Sequence, residues 1–448
     1  MTGKLFGTDG VRGKANVHPI IPETVMKIGR AAAHLLARHS AAPCIVIGKD
    51  TRISGDMLEH AIASGVCSAG TDAVLGGVLP TPGIAFLTRN LGARAGFVVS
   101  ASHNPFPDNG IKIFGARGYK LSDDTEKNIE EIVSSGGFAF PDKPGRVVPM
   151  DDAETRYAAY LRGTLPGHLS LRGLRVALDC AHGATYRVGP AVLSALGAEV
   201  FPLCVTPDGA NINAGCGSQH PERLQEEVLL RGAHLGCAFD GDGDRLIAVD
   251  EKGKLLTGDQ ILAVIARYML EEGRLSQSTV VSTVMSNLGL RLALERMGIR
   301  HIASPVGDRY VLEAMQSSGA ILGGEDSGHI LFLERHTTGD GILTALQLIE
   351  VMLARQRPLS ELARVMEVFP QVLLNVEVHR KPELASVPAV AEAIRSVEAR
   401  LGGRGRILVR YSGTRPLCRV MVEGPTEGEV QSSAQHIADT VRFELGQP

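Results

Sequence analysis

Residues 21–50, IPETVMKIGRAAAHLLARHSAAPCIVIGKD, decide the fold class. Pro22 suits the first turn of a helix, where its missing N–H has no partner to lose. Val25, Ile28, Ala32, Leu35 and Leu36 recur at helical spacing and make one apolar face. The chain then enters CIVIGKD, a short apolar run that reads as a buried strand. The same alternation returns at LRVALDCAHG (174–183) and VLSALGAEV (192–200), then at QILAVIARYMLEEG (260–273), STVVSTV (278–284) and ALERMGIRHIAS (293–304). Strands alternating with longer helical patterns predict parallel sheets covered by helices. The last segment has a different order: strand QVLLNVEVHRK, helix VAEAIRSVEARL, strands RGRILVRY and CRVMVEG, and a closing helix through SAQHIADTVRFEL. The expected fold is therefore three consecutive α/β domains with mixed, mostly parallel sheets plus a C-terminal α+β domain. The Pro- and Gly-containing joints divide them at about 1–150, 151–254, 255–367 and 368–448.

At 448 residues the chain is too long for one core. Hydrophobic residues at 44%, charged residues at 21% and a net charge of −3 are ordinary for a globular protein, so neither nucleic acid nor an anionic membrane is expected as a partner. Seven cysteines without a CxxC pair argue against a disulfide framework or a zinc site and fit a reducing, cytoplasmic compartment. The N-terminal MTGKLFGTDGVRGKAN has no signal-peptide pattern.

The most informative motif is CAFDGDGDRLIAVD (237–250), where Asp240, Asp242 and Asp244 alternate with glycines. Three carboxylates in five residues repel one another unless a cation neutralises them, and Mg²⁺, a hard ion with oxygen ligands, suits them best. An EF-hand would need glycine where Arg245 stands and helices where LGCAF and LIAV read as strands. In GFVVSASHNPFPDNGIKIF (96–114) an apolar strand ends at Ser100-Ala101-Ser102-His103. That end of a parallel strand is where open α/β sheets bind ligands. Ser102 is thus a candidate nucleophile or phosphate carrier, with His103 and Lys112 as proton-transfer candidates. The glycines of a hydrolase nucleophile elbow are missing around it.

ILGGEDSGHI (321–330) groups Glu325, Ser327 and His329, donors and acceptors suited to sugar hydroxyls. VRYSGTRPLCRVMVEG (409–424) sets Ser412, Gly413 and Thr414 between Arg410 and Arg419, a candidate phosphate cradle. FGTDGVRG places Arg12 in a Gly-rich loop, and SPVGDRYV places Asp308 and Arg309 after a strand.

Taken together, and in this order, the motifs resemble the α-D-phosphohexomutase superfamily over essentially the whole chain. The segments LFGTDGVRG, NINAGCGSQHPE, TVMSNLGL and VGDRYV are most similar to its branch acting on hexosamine phosphates. The resemblance implies four domains around a central cleft. It implies exchange of phosphate between glucosamine 6-phosphate and glucosamine 1-phosphate through glucosamine 1,6-bisphosphate, towards UDP-N-acetylglucosamine. It also implies Ser102 as the phosphoserine and one Mg²⁺ per subunit held by Ser102, Asp240, Asp242 and Asp244. Arg12 and Arg245 then flank the transferring phosphate, and His103 and Lys112 move protons. Glu325, Ser327 and His329, with Asp308 and Arg309, face the sugar, and Arg410, Ser412, Gly413, Thr414 and Arg419 hold the other phosphate. A kinase or autophosphorylation would prime Ser102, and a homodimer is compatible with the pattern. Arg415 and Asp326 depart from the family's usual residues, which bears on the preference for glucosamine over mannose or glucose phosphates.

Overall fold

The computed structural model describes residues 4–7, 9–37, 43–136, 140–412 and 416–446. The chain divides into two compact units, Met1–Val284 with Arg300–Arg364, and Met285–Ile299 with Val365–Pro448.

The first unit holds three sheets. In spatial order, the first runs Val11–Lys14, Asp108–Gly115, Ala95–Val99, Cys44–Lys49, Asp72–Val78 and Val147–Pro149. The pairings of Cys44–Lys49 with Asp72–Val78 and with Ala95–Val99 are parallel, as is that of Asp72–Val78 with Val147–Pro149, whereas Asp108–Gly115 is antiparallel to both neighbours. The helix expected at 21–40 spans Pro22–Ala37. It buries Val25, Ile28 and Ala32 against Ile45, Ile47, Ile62 and Phe97, each fully buried apolar side chain contributing roughly 1.5–3 kcal/mol. Leu35 lies off that face and is exposed, so the buried stripe is narrower than the spacing suggested.

The second sheet runs Leu255–Leu256, Leu246–Asp250, Leu235–Phe239, Arg175–Asp179 and Glu199–Leu203, and the third runs Arg300–Ser304, Thr279–Thr283, Leu322–Gly324 and Ile330–Phe332. Each combines parallel pairs with an antiparallel hairpin: Leu235–Phe239 with Leu246–Asp250, and Leu322–Gly324 with Ile330–Phe332. These two hairpin turns carry the acidic motif and the Glu325 motif. They are hydrogen-bonded to each other, the Leu246 N–H donating to the Gly328 carbonyl at 3.0 Å.

The second unit is an antiparallel sheet, Gln371–Glu377, Leu417–Glu423 and Arg406–Tyr411 in spatial order, backed by helices Pro388–Leu401 and Glu427–Leu445. Its order is the βαββα pattern of the sequence. The helix Leu288–Arg296 packs with this unit because Asn287, its N-cap, also accepts from the Phe369 N–H at 3.1 Å, while Arg406 donates to the Ser286 carbonyl at 2.7 Å. Among the described residues no helix is long and apolar enough to cross a membrane.

Candidate active site

Ser102 follows the buried strand Ala95–Val99 and is itself buried, with its backbone in the left-handed region at φ 54°. That conformation aims its hydroxyl at the acidic turn, where Oγ donates to Asp240 Oδ2 at 2.6 Å, and His103 Nδ1 lies 3.3 Å from the same Oγ. The turn approaches closely because Gly241 has no side chain, a Cβ there falling 2.6 Å from the Ser102 carbonyl oxygen. Gly243 has φ 71°, a conformation that strains residues with a Cβ, and it reverses the chain between Asp242 and Asp244.

Asp240, Asp242 and Asp244 are all buried, and one carboxylate oxygen from each lies within 4.8 Å of the others. Lys112, reaching in from the strand Asp108–Gly115, places Nζ 2.7 Å from Asp242 Oδ2 and 3.1 Å from Asp244 Oδ2. Burial opposes charge on Lys112, but Asp242, Asp244 and Asp9 outweigh it and hold its pKa well above the usual lysine range. Asp244 is likewise pushed up by burial and pulled further down by Lys112, His329 and Arg245. Asp240, without a lysine partner, is raised by burial and by the other two carboxylates. The turn therefore carries more negative charge than one ammonium balances. Asp242 Oδ1 and Asp244 Oδ1 are buried without a hydrogen bond, so the turn fits a divalent cation with oxygen ligands.

Around this core Arg12 pairs with Asp9, and Lys120 bridges Asp9 and Asp308. The backbone N–H of Arg245 donates to Asp240 Oδ1 at 3.2 Å. Glu325 accepts from the Gly307 N–H at 3.1 Å, and the Ser327 hydroxyl is buried with no hydrogen-bond partner. His329 sits between acids, Nδ1 3.6 Å from Asp244 and Nε2 3.7 Å from Asp308. A cavity of about 650 Å³ opens here, lined by Lys120, Asp308, Arg309, His329, Thr337 and Tyr119 among others, a size suited to a sugar phosphate.

Four domain families match in succession: phosphoglucomutase/phosphomannomutase α/β/α domain I over residues 3–140, domain II over 156–253, domain III over 257–369 and the C-terminal domain over 373–440. The phosphoglucosamine mutase of Syntrophus aciditrophicus is 56% identical over 448 residues, covering 99% of this chain and 100% of that protein. The chain belongs to the phosphoglucosamine mutases. The phosphoglucosamine mutase of Syntrophobacter fumaroxidans is 52% identical over the same length. A phosphoglucomutase/phosphomannomutase family protein from Burkholderia thailandensis shares the fold with a TM-score of 0.82 at 24% identity, over 99% of this chain and 98% of that one. The N-acetylphosphoglucosamine mutase of Aspergillus fumigatus, solved with GlcNAc-6P and magnesium, shares it with a TM-score of 0.68 at 18% identity, over 98% and 95%. Phosphoglucosamine mutases are isomerases, and the aspartate trio of this chain is one that could hold a divalent metal ion.

Within this phosphoglucosamine mutase family member, the first unit brings together Arg12, Ser102, His103, Lys112, the aspartate trio, Arg245, Asp308, Glu325, Ser327 and His329. Arg309 lines the cavity and is held by the first domain, pairing with Asp123 and Glu126 and donating to the Leu121 carbonyl at 3.1 Å. In the second unit Arg410 and Arg419 stand directly opposite on neighbouring strands. Burial, then Arg419, lowers the Arg410 pKa, and Lys381 donates to the Ser412 carbonyl at 2.6 Å. Gly413, Thr414 and Arg415 lie outside the described residues. Asp326 uses its carbonyl to accept from the Gly258 N–H at 2.9 Å.

Residues not singled out by the sequence complete the first unit's site. Arg52 is buried and spends its guanidinium N–H groups on Asp50 and on the carbonyls of Ser102, Asn104, Pro105 and Asp108, which clamps the serine loop. Asn213 donates to the Ser102 and Asn104 carbonyls at 2.9 and 3.0 Å, and Thr81 donates to Asp242 Oδ2 at 2.6 Å. Arg52 and Thr81 both follow the carboxyl ends of strands in the first sheet, the same rule that singled out Ser102.

Proposed function

We propose that this chain interconverts glucosamine 6-phosphate and glucosamine 1-phosphate, with phospho-Ser102 as donor and glucosamine 1,6-bisphosphate as intermediate. The observation that carries the reading is the Ser102 hydroxyl 2.6 Å from Asp240, beside two buried carboxylate oxygens without hydrogen bonds. Asp240, Asp242 and Asp244 would hold Mg²⁺ with the serine's phosphoryl oxygen, and the ion would neutralise charge on the transferring group.

The chain's own residues supply the rest. The Ser102 Oγ–P bond breaks as a bond forms from the sugar's free oxygen to phosphorus, and the proton lost by the sugar hydroxyl ends on the departing Ser102 Oγ. His103, with Nδ1 3.3 Å from that oxygen, is placed to carry it. Burial first, then Arg245 and Arg12, push its pKa down to about 4, so it is neutral at pH 7, and a phosphoryl dianion alongside raises its basicity. Lys112 acts as fixed positive charge, and Arg12 and Arg245 stabilise the equatorial oxygens. The reverse step returns the sugar's other phosphate to Ser102. Glu325 and Ser327 hold sugar hydroxyls, Asp308, Arg309 and His329 border them, and Arg410, Ser412, Gly413, Thr414 and Arg419 bind the non-reacting phosphate. We assign domains to 1–150, 151–254, 255–367 and 368–448.

The test is the intact mass and turnover of the protein and of Ser102→Ala. A mass increment of one phosphoryl group on the first alone, with turnover in the variant reduced by about 10⁴-fold or more, supports the reading. Native turnover in the alanine variant defeats it. Comparing the 6-phosphates of glucosamine, mannose and glucose fixes the sugar, and release of inorganic phosphate would point to a phosphatase.

A further inference from the structure

The lack of a CxxC pair argued against a metal site in the cysteines, yet folding gathers three soft ligands that are distant in sequence. The parallel strands Arg175–Asp179 and Glu199–Leu203 are followed at their carboxyl ends by His182 and Cys204, and Cys216 closes over them from the next loop. One ligand atom each of His182, Cys204 and Cys216 lies within 4.8 Å of the others. Tetrahedral Zn²⁺ with Zn–S of about 2.3 Å and Zn–N of about 2.0 Å needs separations of about 3.5–3.8 Å, within reach of small side-chain shifts. Both thiols are buried and His182 is partly exposed, which gives a path of entry and an open fourth position.

The surroundings are built around this cluster. Ala181, His182 and Cys204 all have left-handed backbones, at φ 54°, 49° and 53°, a costly arrangement for residues with a Cβ. The His182 N–H donates to the Cys204 carbonyl at 2.7 Å and locks the two strand ends together. Asp179 is buried behind them and accepts from the N–H groups of Ala181 at 2.8 Å and Gly217 at 2.9 Å, which fixes the residues next to His182 and Cys216. Arg223 directs a guanidinium N–H at the Cys204 sulfur from 3.9 Å.

We propose that His182, Cys204 and Cys216 bind a soft divalent cation of the Zn²⁺ class, at a site separate from the aspartate turn. The site is tied to the serine loop. Asn213 donates its backbone N–H to the Ala181 carbonyl at 2.9 Å while its side chain holds the Ser102 and Asn104 carbonyls, and Thr51 donates to the His182 carbonyl at 2.6 Å. Occupancy therefore stiffens the support of Ser102, and loading exchanges two thiol protons for the cation.

The probe is Co²⁺, titrated into the reduced full-length protein with excess Mg²⁺ present. The expected result is one thiolate-to-Co²⁺ charge-transfer band per chain, bleached by one equivalent of Zn²⁺. Cys204→Ser/Cys216→Ser should weaken Zn²⁺ binding by more than about 100-fold in chelator competition, while Asp242→Asn keeps the band. If the double variant does not fold, the wild-type protein decides: Zn²⁺ should protect two thiols from a thiol reagent. No thiolate band, a band unchanged in the double variant, a band lost in Asp242→Asn, or no thiol protection each overturns the proposal.

Discussion

Arg52 shows how much of the site depends on one side chain that never faces the acidic turn. Its Nε bonds Asp50 at 2.9 Å, and its two terminal nitrogens reach four carbonyls of the serine loop at 2.5–3.0 Å. Burial raises the Asp50 carboxyl, with Arg52 and Ser100 pulling it back, so the pair is poised on that contact. Lysine has a point charge and three donors without the planar fork, so Arg52→Lys leaves buried carbonyls unpaired. We expect a loss of about 2–4 kcal/mol in denaturant unfolding. Turnover should fall by about 10–100-fold with KM little changed, because the serine is displaced and the sugar contacts are not. A kcat within twofold of native would show that the loop holds its shape without the clamp.

The hairpin turn Asp240–Arg245 is the element on which the chemistry converges, and its glycines are part of its design. A Cβ on Gly243 meets Thr185 Cγ2 at 2.5 Å, in addition to the strain of φ 71°. Gly243→Ala is expected to cost about 1–2 kcal/mol from backbone strain alone and to weaken Mg²⁺ binding, read by isothermal titration. Adding Thr185→Ser removes the methyl and should recover the part due to the clash, leaving the strain; full recovery would mean that the conformation is not needed. This turn was legible in the sequence because its chemistry is contiguous: three carboxylates, two glycines and flanking apolar runs stand within fourteen residues. The strand-then-serine signal at Ser102 was legible for the same reason, and so was the βαββα order of the last segment. Arg52, Asn213 and Thr81 were not, because each acts on a loop more than forty-five residues away and carries no local pattern. Arg309 read as a substrate residue from its place after a strand; it lines the cavity, and the acids that hold it there, Asp123 and Glu126, were not legible because they lie on a helix of the first domain.

Across the first unit, the 255–367 segment is joined to the 1–150 and 151–254 segments through buried polar groups whose titrations oppose each other. His336 donates from Nε2 to the Pro82 carbonyl at 3.0 Å and accepts the Thr337 N–H on Nδ1. Burial, partly offset by the Pro82 bond, sets its pKa at about 4. The unfolded chain then binds the extra proton between about pH 6.5 and pH 4, so this group's stability is present at neutral pH and lost on acidification, by about 2 kcal/mol between pH 7 and pH 5. Asp340 caps the helix Gly341–Arg355 and accepts from Tyr157 at 2.8 Å, and burial raises its pKa to about 6. Here the folded chain holds the extra proton between about pH 4 and pH 6, so acidification from pH 7 to pH 5 restores about 1 kcal/mol. The second slope offsets roughly half of the first. Asparagine at 340 keeps an acceptor for the Leu343 N–H and removes the titration, but its amide nitrogen must donate to the Tyr157 oxygen where the carboxylate accepted from it, so the pH slope and not the absolute melting temperature is the readout. Asp340→Asn should therefore unmask His336: its melting temperature is expected to fall more steeply than native between pH 7 and pH 5, by a further 1–2 °C or so. His336→Gln should show the opposite slope. Parallel melting curves for all three proteins over that range would mean that neither group changes protonation on folding.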